Sequence, residues 1–365
     1  MRSKEALFWV AFNRAPGIGP KRFYKLLSHF GAARRAWEAN EQELAGVLGK
    51  KLAAELLAFR QRYSLEEEAE RIEQAGCGLL LATDRAYPPL LKKITDPPPV
   101  LYYLGEFRPE DQMAVAVVGA RRATPGGLAT AAELAAALAQ QGITVVSGMA
   151  RGIDSAAHRG ALQVHGGRTI AVLGSGIDRV YPPENKELMQ EIATSGVVCT
   201  EFPPGTRPLP GNFPARNRVI SGLSLGVTVV EAAQDSGSLI TAEFALEQGR
   251  EVFAVPGAID RQGSRGPHRL IKEGAKLVEE VNDILEGLNL PFISPDELVT
   301  ETATGEELSP VEQKILQLLA EGEKHIDLLI RDSGLPVSTV NSALALMELK
   351  GLVLQAAAKT YRRKR

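Results

Sequence analysis

The sequence predicts a three-part α/β protein: a Rossmann-like doubly wound parallel sheet, preceded by a helical domain and followed by a winged helix. Three observations carry this. Between about residues 85 and 290, apolar runs bounded by glycine, at 114–119, 144–148, 169–174, 197–202, 227–232 and 252–255, alternate with helical stretches. Strands that are apolar throughout, rather than at every second residue, belong to a parallel sheet covered on both faces. Ahead of them, Leu26, Leu27 and Phe30, then Leu56 and Leu57, recur at helical spacing. After them, Ser309-Pro310-Val311-Glu312 is a capping box with proline at the first helical position, so a separate helical unit starts there. The expected division is a helical domain at 1–84, the sheet domain at 85–290, an acidic linker at 291–308 and a winged helix at 309–365.

Composition agrees with folded domains. A chain of 365 residues exceeds what one core usually organises, and 44% hydrophobic with 24% charged residues is ordinary globular composition. Lys plus Arg (42) nearly balance Asp plus Glu (44), so any basic surface must be local. Cys77 and Cys199 are too few and too far apart for a disulfide framework or a zinc site, which points to a reducing cytoplasm. No apolar run approaches the roughly 20 residues of a membrane span, so a soluble, unexported protein without membrane contact is expected.

In the first domain, Gly19, Lys21, Leu26 and Leu27 are echoed 30 positions later by Gly49, Lys51, Leu56 and Leu57. Pro16-Gly17-Ile18-Gly19-Pro20-Lys21 resembles a helix-hairpin-helix turn of a SAM-like domain. Its amides either hold a phosphate or simply join two helices. Prolines at 88–89 and 97–99 then form a rigid link into a short strand at 100–104. Beyond the sheet, residues 278–308 hold nine acids and no base, as a solvated linker does. Helical stretches at 310–320, 325–332 and 337–349 and a strand-like tail follow in winged-helix order. The stretch 337–350, its recognition helix, carries one basic and one acidic residue and so has little grip on phosphate. We therefore expect an accessory or protein-contacting winged helix, and the main nucleic-acid site in the sheet domain.

In an open parallel sheet ligands bind at the carboxyl ends of the strands. The loops there are Gly119-Ala120-Arg121-Arg122, Gly148-Met149-Ala150-Arg151-Gly152-Ile153-Asp154, and 174–186 with Asn185 and Lys186. They suit phosphate, but none matches the dinucleotide fingerprint or the P-loop, so neither a nucleotide cofactor nor ATP hydrolysis is supported. The stretch 202–218 reads as a loop with Arg207, Arg216, Arg218, Asn212, Asn217 and Phe213 and no acid. Guanidinium groups that pair with phosphate beside a ring that stacks on bases suit a single strand of nucleic acid, unless Arg216 and Arg218 pair internally with Glu201 or Glu231. Ser236, Gly237 and Ser238 open a further helix toward the same crevice. His158 reads as a packed residue, Asp154 as a helix cap and Glu243 as a complement to a helix dipole. No metal cluster and no catalytic constellation can be assembled.

These strings, together with Tyr181-Pro182-Pro183-Glu184-Asn185, Phe213-Pro214-Ala215-Arg216-Asn217-Arg218-Val219-Ile220 and Ser236-Gly237-Ser238-Leu239-Ile240-Thr241-Ala242, resemble the DprA/Smf DNA-processing family. The likeness extends through the whole sheet domain. It departs at Gly266-Pro267-His268, where the family more often has Gly-Thr-Asn. The resemblance implies a cytoplasmic single-stranded DNA-binding protein that protects incoming DNA and helps load the RecA recombinase in natural transformation. It implies a homodimer through the Rossmann-like domain, with no cofactor and no catalysis. The DNA-binding residues expected are Arg121, Gly148, Arg151, Lys186, Asn212, Phe213, Arg216, Asn217, Arg218, Ser236, Gly237 and Ser238. The alternative is a nucleotide-binding enzyme resembling nucleoside-monophosphate phosphoribohydrolases, with Ser236 to Glu243 in the place of its phosphate loop.

Overall fold

Each apolar run becomes a strand of one nine-stranded sheet in the computed structural model, which describes residues 4–292, 309–349, 352–357 and 359–363. The strands are β1 (Gly78–Leu81), β2 (Val100–Gly105), β3 (Ala114–Val118), β4 (Thr144–Ser147), β5 (Thr169–Val172), β6 (Val197–Thr200), β7 (Gly226–Val229), β8 (Glu251–Ala254) and β9 (Lys276–Leu277). Their order is β1-β2-β6-β5-β4-β3-β7-β8-β9. From β6 to β9 all neighbours are parallel, whereas β2 pairs antiparallel with both β1 and β6. Residues of β3 to β7 are buried throughout, as continuous apolar runs require. The chain fills the sheet from β3 to β6 in one direction and returns to the other side of β3 with β7. The carboxyl ends of β3 and β7 therefore flank the switch point of a doubly wound sheet. One departure from the sequence reading is β1: residues 78–81 lie in the expected helical domain but pair with Val100 to Tyr103 of β2.

The first unit, Met1–Asp283, also contains the N-terminal helices. These are α1 (Lys4–Arg14), α2 (Pro20–Phe30), α3 (Ala33–Glu38), α4 (Glu41–Leu48), α5 (Lys50–Arg60) and α6 (Leu65–Gln74). Trp9, Phe12, Phe23 and Trp37 meet at centroid distances of 4.7–5.7 Å and anchor this layer, which shares one core with the sheet. Arg14 fixes the junction. It pairs with the fully buried Glu68 at 2.6 Å and donates to the carbonyl of Pro204 at 2.8 Å. The sheet helices are the short α7 (Pro89–Lys92), α8 (Pro125–Gln140), α9 (Ile153–Leu162), α10 (Lys186–Ser195), α11 (Asn212–Gly222), α12 (Gly237–Glu247) and α13 (Arg265–Lys272), and α14 (Val281–Gly287) follows where the first unit ends.

The second unit, Ile284–Arg365, has its own core of Ile315, Leu329, Val340, Leu344, Met347 and Val353. Its helices are α15 (Pro310–Leu318), α16 (Ile326–Ser333) and α17 (Val337–Leu349). Its strands β10 (Lys324–His325), β11 (Val353–Ala357) and β12 (Thr360–Arg363) form an antiparallel sheet in the order β10-β12-β11. This is a winged helix. The capping box forms as the sequence predicts, Glu312 N–H donating to Ser309 Oγ at 3.1 Å and Ser309 N–H to the Glu312 carboxylate at 2.9 Å. Residues 293–308 of the expected acidic linker, and Lys364 and Arg365 of the basic tail, lie outside the described residues.

Candidate functional site

The loops after β3, β4 and β5 meet the start of α11 in a shallow cavity of about 20 Å³, lined by Arg121, Gly148, Arg151, Gly174, Tyr181 and Phe213 among others. Phe213 is its centre. The Arg121 guanidinium lies 5.2 Å from the ring centroid, that of Arg216 5.8 Å, and the Tyr181 ring 5.7 Å. Gly174 makes room for this ring, since a Cβ there would sit 2.9 Å from it. The N-terminus of α11 is held by Asn212 Nδ2, which donates to the carbonyls of Gly174 (3.1 Å) and Arg207 (3.2 Å). An exposed arginine on one aromatic ring with a second ring beside it is a stacking platform with an attached cation. A cavity of this size does not enclose a nucleotide.

Arg216 lies behind Phe213 and Gly148, outside the cavity lining. Only 4% exposed, it donates to the carbonyls of Gly148 and Val172 and, through Nε, to Asn217 Oδ1 at 3.1 Å. Gly148 must lack a side chain because a Cβ there would lie 2.4 Å from the guanidinium. Burial lowers the Arg216 pKa to about 10, opposed by the nearby Asp154 carboxylate and assisted by Arg121. Burial in turn raises Asp154, which accepts from Ala150 N–H at 3.3 Å and so braces the turn after β4 rather than capping a helix end. His158 packs as expected. It is fully buried, with Nδ1 2.7 Å from Thr169 Oγ1.

The structure changes several sequence expectations. Residues 212–222 are helix rather than loop, and from Arg216 to Gly222 that helix is buried on every side, so Arg216, Asn217 and Arg218 are all enclosed. Arg218 is 6% exposed. It pairs with Glu201, donates to the Asp96 carbonyl at 2.7 Å, and presents nothing to a phosphate. Asn217 is buried, its Nδ2 donating to Gly237 O at 3.0 Å, and in this way it ties the Ser236 turn to α11. Ser236 caps α12, its Oγ accepting from Ser238 N–H at 3.4 Å; Ser238 is buried and Gly237 exposed. None of these three lines the cavity. Lys186 is exposed at the start of α10, beside Asn185, whose Nδ2 donates to Met149 O at 2.8 Å and Ser155 Oγ at 2.9 Å. Arg151 lines the cavity but is engaged with Glu184 on the surface, which keeps that carboxyl below its ordinary range.

The switch point itself is filled. Glu231, just past β7, accepts from Thr124 N–H at 2.9 Å and Thr124 Oγ1 at 2.6 Å, so a carboxylate already occupies the N-terminus of α8 where a bound nucleotide would place its phosphate. The sequence reading missed Glu231 in this role, and missed Tyr181 as a site residue although it stands in a quoted motif. The acid directly after a strand, at the one position where the sheet reverses, was the available signal. A larger cavity of about 220 Å³, lined by Tyr87, Phe107, Ile170 and Leu223, is mainly apolar and shares no residue with this site. Among the described residues no cluster of His, Cys, Asp or Glu could hold a metal, and no helix is long and apolar enough to cross a membrane.

Comparison with known proteins adds independent findings. Residues 78–289 match the DNA recombination-mediator protein A family, and residues 299–359 match the DprA winged helix domain. Protein Smf of Synechocystis is 35% identical over all of both chains. The crystal structure of DNA processing protein A from Streptococcus pneumoniae covers 80% of this chain and all of its own at a TM-score of 0.71 and 36% identity. A structure of DNA processing protein A from Helicobacter pylori, described for its single-stranded DNA binding mode, covers 59% of this chain and 97% of its own at a TM-score of 0.53 and 30% identity.

Proposed function

The chain belongs to the DNA recombination-mediator protein A (DprA/Smf) family, and from that premise we propose that it binds single-stranded DNA at the Arg121–Phe213 platform. The observation that carries this reading is the Phe213 ring with the Arg121 guanidinium 5.2 Å and the Tyr181 ring 5.7 Å from it, in a cavity also lined by Gly148 and Gly174. A strand crossing the platform stacks a base on Phe213 and Tyr181 and sets phosphates against Arg121, Arg151 and Lys186. Arg216, Asn217, Gly148 and Asn212 position these groups, and the Ser236 turn supports them through Asn217. The homologue whose structure is described for single-stranded DNA binding favours the same reading.

The finer assignments follow the family. The protein shields incoming DNA and helps load the RecA recombinase in natural transformation. It acts in the cytoplasm, as a homodimer joined through the Rossmann-like domain, and without turnover. The division into residues 1–84, 85–290, 291–308 and 309–365 serves as its domain map, except that β1 (Gly78–Leu81) belongs to the sheet. The alternative phosphoribohydrolase reading places its phosphate at the N-terminus of α12, which Ser236 Oγ already caps by accepting from Ser238 N–H at 3.4 Å and which lies outside the platform cavity.

The test is binding of matched single-stranded and duplex oligonucleotides across a salt series by the protein and its Arg121→Ala/Phe213→Ala variant. Removing the stacking of one base costs about 1–3 kcal/mol, so single-strand affinity falls about tenfold or more. The slope against log salt flattens by about 0.7 for each phosphate that is no longer neutralised. Unchanged affinity and slope would remove the platform from consideration.

A further inference from the structure

The N-terminal helical layer carries a basic surface that the platform does not account for, and we propose that it is a second nucleic-acid contact, which grips the sugar-phosphate backbone of duplex DNA. The 30-residue echo in the sequence becomes a spatial pair. The turn at Gly17 packs against the start of α5, so closely that a Cβ on Gly17 would lie 2.8 Å from Leu52 Cδ1. Lys25 of α2 donates to Val47 O, just ahead of the second turn, at 2.7 Å. The echoed Gly19 and Gly49 are the N-caps of α2 and α5; φ is −89° at Gly19 and 84° at Gly49, with a positive φ of 73° at Gly17 two residues ahead of Gly19, and each turn leads into an 11-residue helix with no acid in its first turn. Lys21 and Arg22 stand there on α2, and Lys50 and Lys51 on α5, all exposed. Neither residues 6–37 nor residues 44–54 contain an Asp or Glu. Among the described residues the ion pairs of this layer, Arg14–Glu68, Arg34–Glu38, Arg71–Glu67 and Arg71–Glu68, use other residues, while Arg22 Nη1 donates to Gly17 O at 2.6 Å.

Cations in the first turn of a helix oppose its dipole, and four of them on two adjacent turns also repel one another. The arrangement costs stability in the free protein, and a polyanion seated on it reverses the sign. Phe23 is buried and the Tyr24 hydroxyl points inward, so these turns offer phosphate contacts without a stacking ring; that suits paired bases rather than a single strand. Arg14, which ends α1 just before the first turn, contacts Pro204 in the segment that leads to Phe213, so the layer adjoins the platform. The proposal rests on these observations and stands whether or not the platform binds a single strand.

The test compares the full-length protein with its Lys21→Gln/Arg22→Gln/Lys50→Gln/Lys51→Gln variant on a duplex and on the matched single strand across a salt series. Duplex affinity should fall about tenfold or more, with a slope shallower by about 0.9 for each phosphate left unneutralised, and single-strand affinity should change less. Unchanged duplex affinity and slope would overturn the proposal, and so would an equal decrease on both probes. A second measurement needs no variant: in the unmodified protein, duplex should protect Lys50 and Lys51 from acetylation. Equal acetylation with and without duplex would overturn it too. Failure of the platform appears instead in the Arg121→Ala/Phe213→Ala comparison, so the two outcomes are distinguishable.

Discussion

Arg216 gives its donors to the carbonyls of Gly148 and Val172 and its flank to Phe213, so this arginine bears on the surface only through the ring it packs against. The sequence showed arginines and phenylalanines together without acids, and that composition was the legible part. It could not show which guanidinium faces out, because 212–222 carries Pro214 and lacks a capping side chain and therefore reads as loop. The same crowding makes His158 a reporter of the buried face. Burial, assisted by the Arg216 charge, lowers its pKa from 6.5 to about 3. The unfolded chain takes up a proton near pH 6.5 that the folded chain refuses. The stability given by the neutral ring is therefore complete above that pH and is lost as pH falls toward 3, at up to about 1.4 kcal/mol per unit. Denaturant midpoints measured from pH 7.5 down to 5 should fall, and the His158→Gln variant should show a flatter decline; an equally steep one would refute the assignment. On the surface, Glu184 holds Arg151 and adds negative charge beside the platform. Glu184→Gln should raise single-strand affinity about two- to fivefold at low salt, an effect that fades as salt rises. Weaker binding would place Arg151 outside the contact.

At the level of elements, local chemistry was legible wherever a helix start was written in side chains and illegible where long-range pairing decided. The Ser309 capping box fixed the start of α15 to the residue, because both of its hydrogen bonds are local. β1 was missed because Gly78 to Leu81 is a strand only by virtue of its partner β2. The two-residue β9 likewise exists only beside β8. The cap gives a direct prediction. Ser309→Ala removes the acceptor for Glu312 N–H and should cost the winged-helix unit about 1 kcal/mol. Amide exchange in α15 should then quicken about fivefold, while that of β3 to β6 in the first unit stays as it was. A uniform change in both units would show that the cap is not local to the second.

For the whole molecule, the sheet was readable because a strand buried on both faces must be apolar at every position, a signature that requires no knowledge of neighbours. Which strand-end loops converge was not readable. The sequence placed all of them in one crevice, whereas the fold gathers those after β3, β4 and β5 around Phe213 and closes the switch point with Glu231. Exposed charge then distinguishes the two units. The exposed positions of α17 include Val337, Asn341, Ala345 and Glu348, with no cation among them, and Leu328 of α16 is exposed as well. A helix with that face has little purchase on phosphate and is better suited to a protein surface. The platform residues and the basic turns of α2 and α5 all belong to the first unit. A chain ending at Leu308 should therefore keep most of the affinity of the full protein for single-stranded oligonucleotides, with the same slope against log salt. If that truncation abolishes binding while residues 306–365 alone retain it, DNA recognition belongs to the winged helix and the platform is a structural feature of the sheet.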